Sequence, residues 1–97
     1  MEIKIYSAVP IDKDFEEYLK EKIERLKKFI FDEGKANLYI KKEGPQYISE
    51  ITIHSKHFII FLKEKENTLN KSLEVLFDKV KMQLRKKHEK IIDKSYK

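Results

Sequence analysis

The sequence predicts an α+β domain of order β-α-β-β-β-α, a four-stranded sheet with two helices packed on one face. Two observations carry this reading. Apolar residues alternate at period two in four short segments and recur at steps of three and four in two longer ones, with turn or capping residues between them. The chain of 97 residues also has the length of one domain, 1–97, so both helical stripes must be buried against the same sheet.

Residues 2–6 alternate Ile3 and Ile5 with polar neighbours, the signature of a strand with one buried face, and Pro10 ends it. Asp12 is placed to cap a helix whose first turn carries Asp14, Glu16 and Glu17. Phe15, Tyr18, Leu19, Ile23, Leu26, Phe29 and Ile30 then keep helical spacing to about Phe29, and Gly34 closes the connection. Ala36, Leu38 and Ile40 mark a second strand, stopped by Gly44-Pro45. Residues 48–55 and 57–63 are β-branched and aromatic, with Ser55-Lys56 as the expected hairpin turn. From Thr68 onward Leu69, Leu73, Leu76, Phe77, Val80, Leu84 and Ile91 repeat at helical spacing.

Composition narrows the function classes. The chain has 40% charged residues, two Gly, two Pro and no Cys, which removes disulfides, thiolate nucleophiles and thiolate metal sites and fits a cytoplasmic setting. The longest apolar run, residues 58–62, is far too short to span a membrane, and the amino terminus has no signal-peptide core. His54, His57 and His88 are not spaced to converge on a metal. Two glycines leave no phosphate-binding loop or nucleophile elbow, so neither enzyme activity, cofactor, metal nor small-molecule substrate is expected. The tyrosines read as packing residues, with Tyr39 and Tyr47 the candidates for the open sheet face.

Positive charge is piled at the end of the chain. Residues 79–97 hold eight Lys/Arg against two acids, +6, while the remainder holds 14 against 15, −1. On the second helix, Lys79, Lys86 and Lys90 fall at about 260–300° from Leu69, with Gln83 beside them, along one flank of the buried stripe. On the first helix, Lys22 and Arg25 also fall on one flank of the stripe, so side-by-side helices would let both flanks border a single groove. Lys13, Lys56 and Lys71 lie away from these flanks. A solvated face with i,i+4 Glu partners is the plain alternative; it suits the first helix, where Glu16, Glu17, Glu21 and Glu24 balance the bases, better than the second. A body of balanced charge with one basic helix is the footprint of a protein that docks on a polyanion.

Residues 18–26 (YLKEKIERL), 52–54 (TIH) and above all 78–91 (DKVKMQLRKKHEKI) resemble the ribosome hibernation promoting factor family, also called the ribosome-associated inhibitor or sigma-54 modulation protein family, over essentially the whole chain. The resemblance implies a double-stranded-RNA-binding-like fold on the small ribosomal subunit, in the channel of mRNA and tRNA, where it inhibits translation during stress or stationary phase. Partners would be the 30S subunit and the 70S ribosome through 16S rRNA, with no membrane involved and a monomer in solution. By position, the rRNA-contacting residues would be Lys22, Arg25, Lys79, Arg85, Lys86, Lys87 and Lys90, which overlap the flanks found from charge. The sequence departs from the family at residues 68–74 (TLNKSLE), where the family carries a segment of the type Asp-Met-Tyr-Ala-Ala-Ile-Asp, and Asn70 replaces its aromatic residue. No carboxyl-terminal dimerisation domain is expected, so ribosome pairing would need another factor. Two rivals remain at this level: a general double-stranded RNA binder, and an interaction module whose basic helix meets an acidic partner or anionic membrane surface.

Overall fold

The computed structural model describes residues 1–95, with side chains described through Lys90. Ile91 of the expected stripe, Lys94 and Lys97 of the terminal cluster, and Tyr96 lie outside the described side chains. The elements are β1 (Glu2–Ser7), α1 (Lys13–Glu24), a 3₁₀ segment (Arg25–Phe29), β2 (Lys35–Glu43), β3 (Gln46–His54), β4 (Ile59–Glu66) and α2 (Leu69–Ser95). The sheet order is β1-β2-β3-β4; β1 pairs parallel to β2, and the other two ladders are antiparallel.

Strand alternation sorts the sheet into two faces. Ala36, Leu38 and Ile40 of β2 stand opposite Ile53, Ile51 and Ser49 of β3, and Ile60 and Leu62 of β4 continue the same rows. Onto this face α1 brings Leu19 and Ile23, the 3₁₀ segment Leu26, and α2 Leu73, Leu76, Phe77, Val80 and Leu84, all buried in one core. Each such aliphatic side chain contributes about 1.5–3 kcal/mol by leaving water. One polar seam crosses the core. Ser72 Oγ donates to the Glu64 carbonyl at 3.2 Å, and the Ser49 and Ser72 hydroxyls lie 2.7 Å apart, so α2 is pinned to β3 and β4 with no unsatisfied buried hydroxyl.

The elements differ from expectation at four places, each for a local reason. The first helix keeps α geometry only to Glu24; the 3₁₀ segment then holds Leu26 and Phe29 three residues apart on one side, before Ile30 turns extended. Gly44 adopts φ 60° in a two-residue hairpin that pairs Glu43 with Gln46, so β3 starts two residues before Ile48. The β3–β4 connection is four residues, not the expected two, because Asp32 reaches it from another loop. The Asp32 carboxylate accepts from Lys56 N at 2.7 Å and Ser55 Oγ at 2.9 Å, while Ser55 N donates to the Phe58 carbonyl at 2.9 Å. Finally β4 runs to Glu66, past the expected end at Lys63, as a charged edge strand.

Candidate nucleic-acid interface

Topology fixes where the basic residues gather. Strands β1 and β4 run the same way, and α1 and α2 each follow one of them and return, so both helices aim their carboxyl ends at one pole of the domain. There His88 Nδ1 donates to the Phe29 carbonyl at 3.2 Å, and its ring stacks on Phe31 at 4.8 Å, tying α2 to the end of the 3₁₀ segment. Phe31 in turn meets His57 of the β3–β4 turn edge-on at 6.3 Å. Arg25, Arg85, Lys86 and Lys90 are exposed around this pole and Lys87 is half-buried; Lys28 and Lys56 join them. Cations at helix carboxyl ends also complement the negative end of the helix dipole.

Two acids at the pole, Asp32 and Glu33, are occupied, whereas Glu89 of α2 is exposed and has no ion-pair partner among the described residues. Asp32 is held below its ordinary value of 3.8 chiefly by the Lys56 backbone hydrogen bond. Glu33 is held below 4.5 chiefly by its hydrogen bond with the Lys27 ammonium, aided by the one from the chain's amino terminus. Lys27 Nζ lies 3.1 Å from Glu33. Arg25, Arg85, Lys86, Lys87 and Lys90 have no ion-pair partner among the described residues.

The two flanks do not border one groove. Lys22 stands in the cleft between the helices, its ammonium 5.4 Å from the Tyr18 ring centre and 5.5 Å from that of Phe77. That cleft, of about 510 Å³, is walled by Phe15, Leu73, Asn70 and Glu74, so Asn70 sits beside Lys22 and away from the pole. Lys79 lies on the opposite flank of α2, its ammonium 2.5 Å from Glu64 of β4, a carboxylate only 13% exposed. Gln83, Lys86, Lys87, Glu89 and Lys90 line a shallow concavity of about 270 Å³ further along α2, three cations against one carboxylate. The expected set therefore divides into Lys22 in the cleft, Lys79 against the sheet edge, and Arg25, Gln83, Arg85, Lys86, Lys87 and Lys90 towards or at the pole.

Lys28 and Lys56 were not among the expected site residues, and Lys56 in particular read as remote. Its position depends on the β3–β4 turn folding back to Asp32, a contact 24 residues away in sequence that no local pattern announces. Among the described residues no group of three or more His, Asp or Glu is placed to hold a metal ion, and no helix is long and apolar enough to cross a membrane.

Comparison with known proteins adds to this geometry. The family model described as sigma 54 modulation protein / S30EA ribosomal protein matches residues 3–92. The solved Thermus thermophilus Protein Y N-terminal domain superposes with a TM-score of 0.79 at 19% identity, covering 89% of this chain and 98% of that one. A ribosomal subunit interface protein from Coxiella burnetii gives a TM-score of 0.73 at 19% identity, covering 89% and 96%. No curated protein matches the sequence. The two structures share the fold of this chain.

Proposed function

Because the chain belongs to the sigma 54 modulation protein / S30EA ribosomal protein family, whose members are ribosome-associated, we propose that it is a hibernation factor that binds 16S rRNA of the 30S subunit and 70S ribosome in the decoding channel. One observation supports this most: charge excess, helix ends and exposed side chains coincide at a single pole, where Arg25, Arg85, Lys86, Lys87 and Lys90 outnumber Glu89, and Asp32 and Glu33 are already paired. Such a pole matches the phosphate density of folded RNA. Lys and Arg side chains reach phosphate oxygens from helices without reading bases, since the deep groove of A-form RNA is closed to side chains. Selectivity then comes from the fit of the domain to an RNA cleft. Gln83 supplies a neutral hydrogen-bonding group beside Lys86, and Lys22 and Arg25 extend the contact along α1. Lys79 contributes less because Glu64 already holds it.

In this reading the protein acts in the cytoplasm as a monomer, without catalysis or cofactor, and excludes mRNA and initiator tRNA during stress or stationary phase. The test is competition on purified 30S subunits. Saturating protein should reduce binding of both mRNA and initiator tRNA. Undiminished binding of either would remove the decoding channel as the site.

A further inference from the structure

The sheet face turned away from the helices carries a second pattern. Aromatic and apolar side chains stand on it in the open: Tyr6 is 48% exposed, Tyr39 42%, Phe61 60% and Ile59 66%. Tyr6 and Tyr39 are directly paired across the parallel ladder, and their rings stack at 5.1 Å with 13° between planes. Phe61 lies two strands from Tyr39 and one row down, in the same row as Asn37 of β2 and Thr52 of β3. Strand spacing and pleat put this second platform about 12 Å from Tyr39, a gap wider than adjacent stacked bases require.

Charge on this face is also ordered. Lys4, Lys35, Lys41, Lys63 and Lys65 accompany Glu2, Glu43 and Glu50, an excess of two positive charges. Each carboxylate is bridged by lysine: Glu2 by Lys4 and Lys35, Glu50 by Lys41 and Lys63, Glu43 by Lys65. A second copy of the chain, laid face to face, would set two faces of like net charge against each other. A single-stranded nucleic acid instead offers flat bases to the rings and phosphates to the lysines around them, while Asn37 and Thr52 present hydrogen-bonding groups between the platforms.

We propose that this open face is a binding surface for single-stranded RNA, stacking one base on the outer face of the Tyr6–Tyr39 pair and another on Phe61, with Lys4, Lys41 and Lys63, held to Glu2 and Glu50 at 3.7–3.8 Å in the free chain, turning to the intervening phosphates. The surface lies on the side of the sheet opposite the helices and acts independently of the helix pole. A domain seated on structured RNA by its helices would thereby hold an unpaired strand on its back.

The test uses the free full chain with a labelled oligouridine of about ten nucleotides, read by anisotropy and by quenching of tyrosine fluorescence, which the absence of Trp leaves unobscured. Tyr39→Leu with Phe61→Leu keeps apolar bulk and removes the ring faces; it should weaken oligouridine binding at least tenfold, whereas Tyr39→Phe should bind as the parent does. A duplex of equal length should not respond to the leucine changes. Unchanged affinity of the leucine variant, or no binding by the parent chain, overturns the proposal. So does self-association of the parent that the leucine variant loses while neither binds oligouridine, since the face would then meet a second copy. Changing Arg85, Lys86 and Lys90 to Gln should leave the tenfold ring effect intact, and its disappearance would show that the pole alone holds the strand. Failure of ribosome binding has no bearing on these outcomes, which are measured without ribosomes.

Discussion

Replacing Arg85, Lys86 and Lys90 together with Gln removes three exposed charges from the pole while leaving the core of α2 untouched. Helix propensities of the exchanged residues are close, so the helix itself should persist. If each side chain neutralises one phosphate, the log-log salt slope becomes shallower by about 2.7, and raising salt fourfold costs the parent roughly 40-fold more affinity than the variant. Lys13, Lys42 and Lys71 make the matched control. They sit where α1 and α2 begin and where β2 ends, at the opposite pole, and carry the same formal charge. The assay is binding to purified 30S subunits at several salt concentrations, with thermal midpoints recorded in parallel and expected to move little, as exposed substitutions fall within about ±0.5 kcal/mol. Equal losses from both triples would mean that net charge alone drives binding. No loss from the polar triple would leave those side chains as a solvated face.

Two further outcomes test the frame that builds the pole. Gly34 sits at φ 66°, and a Cβ there would lie 2.5 Å from Ile30 Cδ1 and 3.3 Å from the His54 carbonyl; Gly34→Ala should therefore lower stability by more than about 1 kcal/mol in a denaturant titration, and an unchanged midpoint would contradict the packing described. Asp32 is ionised more readily in the folded chain than its ordinary value of 3.8, so its contribution is present above that pH and is lost as pH falls through the lowered folded value. The melting gap between the parent and Asp32→Asn should accordingly shrink on the acid limb below about pH 3.8; a gap that is constant or widens there would mean that the carboxylate charge does not hold the β3–β4 turn.

Much of the fold was legible because period-two and helical patterns in this chain rarely overlap. Asp12 illustrates a signal that was both local and sufficient: its side chain accepts from Phe15 N at 2.7 Å, as a capping residue at that spacing should. The end of β4 was illegible because residues 63–66 alternate Lys and Glu and bury no large apolar residue; backbone pairing to β3, not hydrophobicity, makes them a strand. The division of the basic residues was hidden for a different reason. A helical wheel gives angles about one axis but not which neighbour stands at each angle, so Lys22 and Lys79 could be assigned to flanks and not to surfaces. Only with α1 on one side of α2 and β4 on the other does Lys79 meet Glu64. Tyr39 and Tyr47 were the candidates for the open face. Register separates them: Tyr39 lies there beside Tyr6, whereas Tyr47 shares the helix-side rows with Ser49 and Ile51 and has Lys42 5.1 Å over its ring.

Co-sedimentation of the purified chain with separated 30S and 50S subunits and with 70S ribosomes, at physiological salt, tests the central claim most directly. The account predicts stoichiometric recovery with 30S and 70S, little with 50S, and loss of both associations when Arg85, Lys86 and Lys90 are changed to Gln. Recovery with 50S alone, or with no ribosomal fraction, would contradict it.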